Sequence, residues 1–232
     1  MYPFYYFDRT YALVLIGIII SMLAQANIQK KFAKYADVKT QKNITGLEVA
    51  QHILRSNNYN DIKIKKIGGS LSDYFNPISK EIALSETSLR DTSIASVAVA
   101  AHECGHVIQY KEGYIPLRVK SWIVPVVNLG SRLSIPAILF GLLFSSARLV
   151  DIGIFLFSFM VIFQLVTLPV EFDASRRALN VLEDSGMLVG MENDFARDML
   201  KAAALTYVAA AITAALQYLR LLLLFGNRRS ND

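Results

Sequence analysis

Four long apolar runs divide this chain into segments of opposite character: residues 11–26, 122–144, 152–170 and 202–225. A helix that crosses the hydrocarbon core of a bilayer needs about 20 predominantly apolar residues. The last three runs meet that length. The first is short, but the aromatic cluster Phe4, Tyr5, Tyr6 and Phe7 extends it with side chains that settle at the membrane interface. The pattern therefore predicts four spanning helices. Pro125 and Pro136 fall in the second, which is expected to begin as a polar-faced interfacial helix with Asn128 and Arg132 and then to kink. Arg220, near the end of the fourth, is expected to stretch its charge towards the interface.

The polar segments carry other periods. Thr45 and Glu48 have the spacing of a capping box ahead of an amphipathic helix that holds His52. Ile62 and Ile64 alternate with lysines as a half-buried strand does, and residues 81–85 read as a second strand. Gly68 and Gly69 mark one turn and Asn76 and Pro77 another, with residues 70–76 read as a surface loop carrying Tyr74 and Phe75. A small sheet follows, with residues 82–85 or their neighbour expected at an exposed edge open to strand addition. Residues 92–110 form an uninterrupted helical run, with Asp91, Thr92 and Ser93 as candidate N-caps and Gly113 as its stop. Beyond the third apolar run, a new helix is expected over 172–182 with Gly186 as its stop. A short one over 193–200 should run on into the fourth span.

Composition agrees with the membrane reading, at 53% hydrophobic and 19% charged residues in 232. Charge adds an orientation. Residues 27–121 carry fourteen Lys and Arg, and Arg176, Arg177, Arg197 and Lys201 follow the third run. The turn between the second and third runs offers only Arg148, and the two ends offer Arg9, Arg228 and Arg229. Positive charge collects on the cytoplasmic side, so both termini are expected outside and the polar segments inside. Ala24, Gln25 and Ala26 resemble a signal-peptidase site, but the positive cluster lies after the apolar run rather than before it, as in a reverse signal anchor. The net charge of +5 is accounted for by an anionic lipid surface and implies no nucleic-acid partner. The lone Cys104 excludes an intramolecular disulfide and reads as a small packing residue.

The sharpest chemical signal is the order His102, Glu103, Cys104, Gly105, His106 inside the helical run. Residues four apart share a helix face, so His102 and His106 can grip one zinc ion while Glu103 reaches a water on it. Zinc lowers the pKa of such a water from about 15.7 to about 7, which makes a nucleophile available at neutral pH. A catalytic zinc normally has three protein ligands. No histidine follows His106, and His52 lies on the upstream amphipathic helix, so a carboxylate is expected. Two spans separate His106 from Glu171, which returns it to the same side, whereas Asp151 falls on the other. Glu171 is the first candidate; Asp173 and Glu112 are the remaining ones.

The motif, continued by Val107, Ile108, Gln109, Glu112, Gly113 and Tyr114, resembles the YugP-type membrane zinc metallopeptidases of bacteria. So do the stretch from Leu168 through Glu171, Asp173, Ser175, Arg176 and Arg177 to Leu179, and the stretch from Lys201 to Tyr207. The resemblance covers nearly the whole chain and implies a zinc peptidase. A wider similarity is to membrane gluzincins of the CAAX-protease and stress-protease type. Their third ligand is the Glu of an E-x-x-x-D pattern whose Asp supports a zinc-binding histidine. Glu171 matches that Glu. Ser175 stands where the Asp is expected, and Asp173 is the candidate for the supporting carboxylate.

The expected protein is mainly α: a four-span integral membrane protein with a small α+β, zincin-like metallopeptidase domain on the cytoplasmic face. Its segments are an anchor (1–26), a soluble part with the motif helix (27–121), a hairpin of two spans (122–170), soluble helices with the third ligand (171–201), and a fourth span with a tail (202–232). The expected activity is zinc-dependent hydrolysis of peptide bonds in membrane-associated proteins or peptides, using one Zn2+, with Glu103 as general base. Arg176, Arg177 and Tyr207 are candidates to stabilise an oxyanion. Two other readings exist. An intramembrane protease needs the motif within a span, but the apolar run before His102 is only about eight residues. A non-enzymatic adaptor with structural zinc normally needs four protein ligands and has no use for Glu103.

Overall fold

The structure is a computed structural model that describes residues 8–69 and 72–226. The aromatic residues 4–7, Ser70, Leu71, and the tail with Arg228 and Arg229 lie outside the described residues. The elements run α1 (Tyr11–Ala36), α2 (Gly46–Ser56), β1 (Lys63–Ile67), β2 (Tyr74–Asn76), β3 (Glu81–Ser85) and α3 (Glu86–Arg90). They continue with α4 (Ile94–Lys111), α5 (Ile115–Leu143), α6 (Ala147–Asp184) and α7 (Met191–Phe225). Contacts divide the chain into two units, one of Met1–Ala24, Val119–Thr167 and Thr206–Asp232, the other of Gln25–Arg118 and Leu168–Leu205.

The first unit holds the apolar stretches. Helices α1, α5, α6 and α7 are each long and apolar enough to cross a membrane, the four such helices among the described residues. Their large apolar side chains point outward: Leu15, Ile19, Met22, Leu133, Phe140, Phe155 and Leu223 are all exposed. That is the reverse of a water-soluble bundle and suits lipid surroundings. Small and hydroxylated residues let the helices touch. Ser134 donates to the Gly153 carbonyl at 2.8 Å, and Thr213 donates to the Gly17 carbonyl at 3.0 Å. The Arg220 guanidinium lies 4.3 Å from the centre of the Tyr11 ring and 3.9 Å from the Asp8 carboxylate. Its charge is therefore met within the protein as well as by any interface it reaches.

The second unit is built around α4. Ile94, Ala95, Val97, Ala98, Ala100, Ala101, Cys104 and Val107 are fully buried, so small side chains surround this helix and allow close neighbours. Ser93, one of the three candidate caps, accepts from the Ser96 backbone N–H, which places the start of the helix at Ile94, two residues beyond Thr92. At the other end Gly113 takes a φ of +68°. There the Gly113 N–H donates to the Tyr110 carbonyl at 3.2 Å, and the Tyr114 N–H to that of Gln109 at 2.9 Å. This is a Schellman closure. The capping box of Thr45 and Glu48 is formed on α2.

Two sequence expectations need correction here. Of the two alternatives for the sheet edge, the strand at 81–85 is not one, and its neighbour is: β3 is central, parallel to β1 and antiparallel to β2. Ile82, Ala83 and Leu84 are completely buried; a strand covered on both faces reads as a continuous apolar run rather than an alternation. Its neighbours β1 and β2 form the edges, and β2 occupies part of the stretch read as a loop. Glu171 does not start a new helix either. It lies inside α6, which continues through Pro169. The proline ring sacrifices one backbone hydrogen bond, while the packing of Val170, Glu171, Asp173 and Ala174, all buried, holds the helix together.

Candidate metal centre

Histidines 102 and 106 lie one turn apart on α4, with ring centres 4.8 Å apart and planes nearly perpendicular, at 81°. On α6, the Glu171 carboxylate faces both: its Oε2 lies 3.4 Å from Nε2 of His102 and 3.4 Å from Nε2 of His106. All three ligand atoms fall within 4.8 Å of one another. Donors about 2.0–2.2 Å from a tetrahedral zinc ion lie about 3.4 Å apart, so both separations from Glu171 suit a shared ion. The side chains are 14%, 12% and 4% exposed for His102, His106 and Glu171. Two imidazoles and a carboxylate in that seclusion form a donor set suited to zinc.

The close approach of the two helices depends on a glycine. A Cβ on Gly105, between the histidines, would lie only 2.3 Å from the Ala174 carbonyl oxygen of α6. With no side chain at that point, the backbones come near enough for Glu171 to reach the histidines.

Each histidine is held from behind. Ser175 Oγ lies 3.2 Å from Nδ1 of His102. Gln109 Oε1 lies 3.0 Å from Nδ1 of His106. The Gln109 amide nitrogen donates to the Val170 carbonyl at 2.8 Å and to Asp173 Oδ2 at 2.9 Å. Asp173 also accepts from Arg177 at 2.5 Å and pairs with Arg176. Arg177 in turn donates to Glu112 at 2.5 Å and stacks over the Tyr114 ring at 5.7 Å.

This arrangement settles where the sequence candidates lie. Glu171 joins the histidines, whereas Asp173 and Glu112 face arginines. Ser175, in the place where the E-x-x-x-D pattern would put Asp, itself touches His102. Asp173 supports the other histidine through Gln109, which the sequence offers only as part of the extended motif, without a role. Arg176 and Arg177 are both engaged by Asp173, and Tyr207 belongs to the other unit.

Glu103 is buried. Burial raises its carboxyl to about 7; His102 and the Phe75 backbone of β2 work in the opposite direction, and Glu171 and Asp73 add to the rise. Phe75 in turn packs on Tyr110 of α4 at 5.7 Å between ring centres. The edge strand and the motif helix thus meet at this carboxyl. Cys104 is fully buried, and burial pushes its thiol well above the usual range.

Comparison with known proteins agrees with this chemistry. Residues 10–226 match the family described as "Putative neutral zinc metallopeptidase". Over 213 residues the chain is 38% identical to the "Putative membrane protease YugP" of Bacillus subtilis (strain 168), covering 92% of this chain and 95% of that protein. No solved structure matches.

Proposed function

The chain belongs to this family of neutral zinc metallopeptidases, and on that premise we propose that it is a membrane-anchored, zinc-dependent endopeptidase. The observation that carries the reading is the convergence of His102, His106 and Glu171, with the Glu171 oxygen 3.4 Å from both imidazole nitrogens and Glu103 buried beside them. These three side chains hold one zinc ion, which when bound supplies a Lewis acid for the scissile carbonyl and an acidified water. Glu103 takes the proton of the attacking water and delivers it to the leaving amine. Its burial and its place next to His102 in the chain suit a group that must exchange a proton near neutral pH.

Substrates are proteins or peptides presented near the bilayer, a reading supported by the four apolar helices and by the position of Glu171 directly after the third apolar run. An extended substrate backbone would add to the edge strand β2, whose Phe75 backbone supports Glu103. The site faces the cytoplasm, the side indicated by the excess of Lys and Arg in residues 27–121.

Detergent-purified full chain incubated with a generic unfolded protein tests the reading, with Glu103→Gln alongside. Cleavage should be abolished by a chelator, restored by zinc, and reduced by about 10²–10⁴-fold in the variant, the usual contribution of a general base. Chelator-resistant cleavage, or full activity in Glu103→Gln, would overturn it.

A further inference from the structure

We propose that Gln109, aimed by Asp173, is a positioning residue that fixes His106 in the tautomer protonated at Nδ1. This leaves Nε2 as a lone pair facing Glu171. The inference rests on the zinc-peptidase reading for its purpose, but its geometry stands without any ion.

Gln109 is fully buried. The two ends of a carboxamide have nearly the same shape, so its orientation is decided by its hydrogen-bond partners. One end meets two acceptors, the Val170 carbonyl at 2.8 Å and Asp173 Oδ2 at 2.9 Å. An oxygen there would face two oxygens, so that end is the NH2. The other end is therefore the carbonyl oxygen, and it lies 3.0 Å from Nδ1 of His106. A carbonyl oxygen only accepts, so the imidazole must donate from Nδ1. A neutral imidazole carries one ring proton; with that proton on Nδ1, Nε2 is bare, 3.4 Å from the Glu171 oxygen. Asp173 is held by Arg177 at 2.5 Å and by Arg176, so the direction of this chain of bonds is fixed from the charged end.

Among the described residues, nothing comparable acts on His102. Its Nδ1 meets Ser175 Oγ at 3.2 Å, and a hydroxyl can donate or accept. The two histidines are thus unequally prepared: His106 is held in the metal-binding tautomer in advance, and His102 is free to adopt it when a metal arrives. A support of this kind is typically worth about 10–100-fold in metal affinity.

The test uses the zinc-free full chain in detergent with 15N-labelled histidine, at about pH 8, where an unperturbed imidazole is neutral. Long-range proton–nitrogen correlations distinguish the two tautomers, and only three histidines need assignment. His106 should show a proton on Nδ1 in the wild type. Gln109→Leu, of similar volume, removes the acceptor that Nδ1 of His106 faces. The variant should shift His106 towards the Nε2-protonated form and weaken zinc binding, measured against a chelator, by about 10–100-fold. Gln109→Glu keeps an acceptor for Nδ1 and should retain more of the affinity than Gln109→Leu. A wild-type His106 protonated at Nε2 would overturn the proposal, and so would a Gln109→Leu chain with unchanged tautomer and affinity. The wild-type spectrum decides even if the variants fail to fold. A full chain that binds no zinc, yet shows the expected tautomer, would instead count against the peptidase reading alone.

Discussion

Replacing Gly105 by alanine adds a single methyl group at the closest approach between α4 and α6. That methyl would lie 2.3 Å from the Ala174 carbonyl oxygen, 3.0 Å from its carbonyl carbon and 3.2 Å from its Cα. Backbone carbon–oxygen contacts settle at about 3.3–3.6 Å, so the helices must part by about 1 Å. The obstacle is backbone, and no rotamer change relieves it. Overpacking of this kind costs about 1–3 kcal/mol, whereas alanine in place of glycine favours the helix by about 1 kcal/mol. The net loss of stability should be small, about 0–2 kcal/mol, and is a poor guide to the effect. The site is the sensitive reporter. Glu171 lies one turn before Ala174 on α6, so its carboxylate moves away with the helix, whereas metal–ligand distances tolerate only about 0.2 Å. Misplacement by about 1 Å can cost 100-fold in rate. Gly105→Ala should therefore lose about 100-fold in peptide hydrolysis and bind zinc correspondingly more weakly in chelator competition, with a modest fall in Tm. Gly113→Ala is the control: its φ of +68° strains any side chain, but nothing lies near its missing Cβ. It should lower Tm and leave zinc affinity unchanged. Wild-type zinc binding and hydrolysis in Gly105→Ala would refute the argument that this contact sets the ligand geometry.

Three further outcomes are expected. Ser175→Ala should weaken zinc binding by about tenfold through loss of the contact behind His102. Ser175→Asp should match or exceed the wild type, because Ser175 lines a groove of about 480 Å³ with Phe172 and Leu179 that has room for a carboxylate; equal affinity in all three chains would remove Ser175 from the site. Cys104 should resist a maleimide in the folded chain and react on denaturation, given its complete burial; rapid labelling of the native protein would contradict the packing described. Reporter fusions after Gly113 and at Asp232 should lie on opposite sides of the membrane, and the same side for both would sink the four-span topology.

How much of this was legible in the sequence depends on how far apart the partners lie. His102, Glu103 and His106 are local: helical spacing alone puts them together, and the caps at Ser93 and Gly113 are local as well. The apolar runs are also self-announcing. Glu171 needed topology, since only the count of spans returned it to the side of the histidines. Of the supports behind the histidines, Asp173 is a candidate only through the resemblance, and the contact of Ser175 with His102 is not readable, because both residues meet α4 across more than sixty residues and nothing in their own neighbourhood signals it. Gln109 was visible three residues after His106, yet a glutamine on a helix declares nothing until its amide has partners. The order of the sheet had a missed signal: Ile82, Ala83 and Leu84 form an unbroken apolar run, which is the mark of a covered strand. The three residues of β2 are too few for any alternation to stand out.

The division of the ligands between α4 and α6 has a consequence for how the chain is made. The ribosome releases His102, Glu103 and His106 at least sixty-five residues ahead of Glu171, with two apolar runs between them. At about 5–20 residues per second, the pair of histidines waits about 3–13 s for its partner. On the ligand set proposed above, a nascent chain carries the blade without the catch that arms it. It cannot cut itself or its neighbours while its second and third spans are being made, and competence arrives no earlier than the synthesis of Glu171 just after the third.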